Sequence, residues 1–84
     1  MAVISFSIVK QASENWFNHP ESENVNLGQL VGLTSAQVNH WNEIGWKKDY
    51  LTTSTSTAKK LEILANGNLE HYEALFKIIE ARYG

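Results

Sequence analysis

The residue types able to do covalent or metal chemistry are few in this chain, and they are scattered. Its three histidines are His19, His40 and His71. No two of them stand four apart, and none has carboxylates nearby at a metal-ligand spacing, so no pattern calls for a metal. The absence of cysteine removes disulfides, thiolate zinc sites and thiol nucleophiles together. A glycine-rich phosphate loop, a Gly-x-Ser-x-Gly elbow and a matched acid–base pair are also missing from the sequence. The expectation is a protein that is not an enzyme and uses no cofactor. That leaves binding.

Whatever is bound must be held by one small domain. Eighty-four residues support a single core that removes roughly 60–65% of the unfolded surface from water, so residues 1–84 are expected to form one domain. The hydrophobic share of 43% and charged share of 19% are those of a folded globule, not a disordered chain. Apolar runs are only a few residues long, which gives no membrane span or signal peptide and leads to the expectation of a cytoplasmic protein. The net charge of −2 is unevenly spread. Residues 1–43 hold Lys10 against Glu14, Glu21, Glu23 and Glu43, whereas the later half is slightly basic. A surface for a polyanion would have to draw on Lys47, Lys48, Lys59 and Lys60.

The periodicity predicts short helices. Ile8, Ala12, Trp16 and Phe17 fall at helical spacing over about 7–18, with Asn15 off that face, and the stretch around Pro20 ends the helix. A short helix is expected from Asn24 to Gly32 and another from about Ser35 to Glu43 or Ile44. Thr34 and Gln37 form a capping box at the start of the second. The Thr/Ser-rich stretch 49–57 reads as an exposed loop or a small wing strand, and Met1–Phe6 as a strand or the run-in to a helix. A helix over 57–65 turns Ala58, Leu61, Leu64 and Ala65 inward and Lys59 and Lys60 outward. The last helix, capped by Asn68, shows a stripe of Leu69, Tyr72, Leu75, Phe76, Ile79 and Tyr83. The expected fold is all-α, four or five short helices.

Residues 27–41 carry the functional argument. Gly28 lets two helices cross closely, Gly32 supplies the backbone turn between them, and Leu33, Val38 and Trp41 lock the second helix onto the first. This is the logic of a helix-turn-helix, whose second helix is offered to the major groove. The stretch resembles the helix-turn-helix of the lambda-repressor/Cro family of phage and bacterial regulators at Leu27-Gly28, Gly32-Leu33, Val38 and Trp41. The likeness continues more weakly into residues 57–67, covering about half the chain. Residues 41–46 are also similar to the MerR and excisionase-type winged helix, on which 49–57 would be the wing.

The Cro-type resemblance implies a transcription regulator that binds double-stranded DNA, with Thr34, Ser35, Ala36, Asn39 and His40 directed at base edges and Glu43 one turn on. Asn39 suits adenine, Ser35 several bases, and Ala36 a thymine methyl. Gln29 would reach a phosphate, Lys47 and Lys48 would be the main phosphate partners, and Lys59 and Lys60 would follow. Against the family's pattern, no Arg or Lys lies in residues 24–43. Each residue also has a plainer role: Gln37 as a cap, Trp41 as core, the lysines as solvated surface, and the last stripe as core or as the seam of a homodimer. The alternative function keeps the helix-turn-helix shape for protein–protein interaction, as in an anti-repressor or a phage-encoded inhibitor of a host protein. An acidic first half and the aromatics Trp46 and Tyr50 suit that reading.

Overall fold

A computed structural model of the chain describes residues 2–44, 49–69 and 71–84. The element order is β1 (Ala2–Ser5), α1 (Phe6–Phe17), a single 3₁₀ turn (Pro20–Glu23), α2 (Leu27–Val31), α3 (Ser35–Ile44), β2 (Tyr50–Thr53), α4 (Thr55–Ala65) and α5 (Tyr72–Tyr83). Helices dominate, in keeping with the expected all-α class, and a small two-stranded sheet is added to them. The two strands pair antiparallel, with Ile4 opposite Leu51 and Ala2 opposite Thr53. Those four turn inward, while Val3, Thr52, Ser5 and Tyr50 face out, the two-residue alternation of a half-buried sheet. The small sheet fastens the first residues of the chain to the segment that follows α3. It therefore brackets α1, α2 and α3 at both ends.

The core lies where α1 and α4 pack along each other, with α5 laid against α4. Ala12 and Ala58 are small enough for close approach, and Trp16, Leu61, Leu64, Leu51 and Val31 fill the remaining space. Val9 belongs to this inward face. Phe17, expected there from its spacing, is instead 81% exposed, because α1 ends on it and the chain turns away.

Side chains of three residues, Asn15, Thr57 and Trp16, complete the assembly with bonds to distant carbonyls. Asn15 donates to the carbonyls of Leu64 and Ala65, at 2.6 and 3.2 Å, and so closes the C-terminal end of α4. The Thr57 hydroxyl donates to the Val31 carbonyl at 2.8 Å, tying α4 to the end of α2. The Trp16 indole N–H donates to the Val25 carbonyl at 2.9 Å, holding the connection between the 3₁₀ turn and α2.

Two expectations are refined. Of the two readings of the Thr/Ser stretch, exposed loop or small strand, the strand holds over Tyr50–Thr53, after which Ser54 caps α4 by accepting from the Thr57 amide, and Ser56 and Thr57 are buried. The last helix begins at Tyr72 with His71 at its cap position and no side-chain cap bond, so Asn68 does not cap it.

Candidate functional site

The α2–turn–α3 unit is built by local bonds that its own sequence supplies. Asn26 and Gln29 form a reciprocal capping box, Gln29 N–H donating to Asn26 Oδ1 at 2.8 Å and Asn26 N–H to Gln29 Oε1 at 3.3 Å. Gln29, expected to reach a phosphate, thus has its carbonyl oxygen occupied at the start of α2; only its amide NH₂ faces outward chemistry. At the other end Gly32 adopts φ 82°, ψ 31°. Its N–H donates to the Gln29 carbonyl and the Leu33 N–H to the Gly28 carbonyl at 2.7 Å, the paired bonds that end a helix on a left-handed residue. A Cβ on Gly28 would lie 2.9 Å from Val38 Cγ2, so any side chain there would force Val38 or the α2–α3 crossing to shift.

α3 begins with the predicted box. Thr34 N–H donates to Gln37 Oε1 at 2.8 Å and Gln37 N–H to Thr34 Oγ1 at 3.2 Å. Thr34 and Gln37 are therefore both engaged at the cap. Val38 and Trp41 are half-buried on the inner side, with Leu33 packed beside them. Ser35, Ala36, Asn39 and His40 are all exposed, as is Glu43. Ser35 with Asn39, and Ala36 with His40, stand one turn apart, which places the four on one outward stripe. The outer strand residue Thr52 adjoins this stripe: with Thr53 it lines a shallow groove against Ala36, Gln37, His40 and Trp41. Sequence reasoning missed Thr52, since only the strand pairing brings it beside α3.

The cations divide unexpectedly. Lys47 and Lys48, the expected phosphate partners, lie outside the described residues, as does Trp46. Lys60 was expected to point outward with Lys59, but it is only 7% exposed. Its ammonium donates to Glu80 of α5 at 2.7 Å and stands over the Phe76 ring. Ser56 donates to the same carboxylate at 3.1 Å. These two hydrogen bonds, with the Lys60 charge, hold the Glu80 carboxyl below the usual carboxylate range. Lys60 is thus a strut between α4 and α5 and is withdrawn from any phosphate surface. Lys59 remains on the surface, loosely paired with Glu62 at 3.7 Å.

Among the described residues no three His, Asp or Glu side chains come together as metal ligands would. No helix among the described residues is long and apolar enough to cross a membrane. No protein-family model, curated protein or solved structure matches the chain.

Proposed function

We propose that the protein is a small DNA-binding regulator of phage or bacterial type that reads the major groove with α3. One observation carries this: a capped ten-residue helix, set after a left-handed glycine turn, turns Ser35, Ala36, Asn39 and His40 to solvent as one stripe free of Lys, Arg, Asp and Glu. A helix fits the major groove, and this set matches what base edges offer. Asn39 pairs in bidentate fashion with adenine N6 and N7, Ser35 donates to or accepts from several bases, and Ala36 meets a thymine methyl. Lys47 and Lys48 follow α3 in the chain and supply the phosphate contacts, with Lys59 in support.

Binding to labelled duplexes from the source genome tests this. A protected site that weakens on Asn39→Ala and on Lys47→Ala, by roughly 1–3 kcal/mol for the base reader, is expected. Protection unchanged by the two together rules the reading out.

A second reading has its own observation in favour. No cation lies in residues 24–43, and Lys60 is spent inside the fold. A near-neutral stripe flanked by few bases suits a protein surface, so the same edge of α3 would then dock on a host protein. Nuclease treatment separates the two: a complex formed in lysate that survives it is protein-mediated.

A further inference from the structure

The inner side of α3 does not close onto the body of the fold. Beneath it lies a cavity of about 310 Å³ whose walls are Val9 of α1, Leu27 of α2, Leu33, Val38 and Trp41 of the turn and α3, and Leu51 of β2. That volume is at the lower end for small-ligand sites and equals the share of roughly ten waters. Water gains little there, because the walls are apolar.

Among the described residues, three polar side chains line the cavity. Ser13 donates its hydroxyl to the Val9 carbonyl one turn back, at 2.9 Å, and so offers little outward. Lys10 and Asn42 are exposed, stand on α1 and α3 respectively, and carry hydrogen-bond donors. Among the described residues no carboxylate forms an ion pair with Lys10, not even Glu14 one turn along α1.

We propose that this cavity binds a small aromatic carboxylate, its ring system between Trp41, Leu33 and Val9 and its carboxylate held at the mouth by Lys10 and the Asn42 amide. The charge decides the class. An unpaired ammonium at the rim of an apolar hollow complements one negative charge on an apolar body, and a bicyclic acid matches the volume. The ligand touches α1 and α3 at once, so its binding ties α3 to the body and raises the thermal midpoint with the logarithm of ligand concentration above Kd. This does not depend on what the outer stripe of α3 meets, and the two tests fail separately.

The probe is naphthoate, titrated into the full chain and followed by amide chemical shifts. Saturable shifts centred on Leu33, Val38 and Trp41, lost in Ser13→Phe, are expected. Ser13→Leu fills the same space more gently and serves if Ser13→Phe loses its helical circular dichroism. Lys10→Gln should weaken naphthoate about three- to fivefold while leaving the uncharged naphthylmethanol unaffected. Shifts that do not saturate or centre elsewhere overturn the site, as does a filled, folded variant that still binds. Equal naphthoate affinity in Lys10→Gln overturns the carboxylate assignment.

Discussion

At the scale of single residues, the two glycines of the turn unit make different demands. Gly32 has nothing within 4 Å of where a Cβ would sit, so its cost on substitution is purely that of a left-handed backbone. Gly32→Ala should lower stability by about 1 kcal/mol, measured by chemical denaturation. Gly28 has an ordinary backbone but no room, because Val38 is 2.9 Å away. Gly28→Ala should cost about 1–3 kcal/mol and shift the Val38 methyl resonances, which Gly32→Ala should not. Gly32 and the Thr34–Gln37 box were legible in the sequence because their partners lie within a few residues, and Gly28 because a small residue there suits the close crossing of two consecutive helices. Lys60 was not. Its partner Glu80 is 20 residues on, and nothing local distinguishes a lysine that snorkels between helices from one in water. The depressed Glu80 carboxyl has a consequence of definite sign. Its contribution is complete above the unfolded carboxylate range and is lost as pH falls through the lower folded value. Glu80→Gln should therefore flatten the acid limb of a stability–pH curve below about pH 4.5 and leave the neutral region with the smaller stability throughout.

At the scale of elements, the helices announced themselves through spacing and caps, and α3 matches its expected span of 35–44. The strands were legible only as one of two readings each, and their pairing not at all: each has four residues, too short for alternation to stand out, and the partners are separated by α1, α2 and α3. Thr52-Thr53 and Thr55-Ser56-Thr57 look alike in sequence yet end in strand and helix. Ser54 divides them by capping α4, and burial of the Thr57 hydroxyl against Val31 overrides the weak helix propensity of a β-branched residue. That bond can be tested. Thr57→Val keeps the shape but leaves the Val31 carbonyl buried without its donor, and should cost about 1–3 kcal/mol in thermal or chemical unfolding. Asn15→Ala should likewise loosen the end of α4 by about 1 kcal/mol, read as faster amide exchange at Asn66 and Gly67.

At the scale of the whole molecule, charge sets what binding can look like. A chain of net −2 with Lys60 enclosed can neutralise few phosphates, so affinity for duplex should fall with salt at a shallow slope. Lys47→Ala should reduce that slope by about 0.9, whereas Lys60→Met should leave it unchanged and act on stability alone. The outward stripe of α3 was legible from helical spacing: Ser35, Ala36, Asn39 and His40, expected on the outer side, are exposed, whereas Thr34 and Gln29 are engaged in capping boxes. The stripe's neighbour Thr52 and the cavity behind it were not legible, since both arise from the sheet and from how α3 sits over α1. The claim on which the functional account rests is that this stripe meets bases. Selection of duplexes from a randomised pool by the wild-type chain and by Asn39→Ala, each confirmed folded, tests it most directly. Enrichment of a short sequence by the wild type, with loss of preference confined to an adenine position in Asn39→Ala, is the predicted result; a pool left unenriched by the folded wild type, or an identical enriched sequence from both proteins, would contradict it.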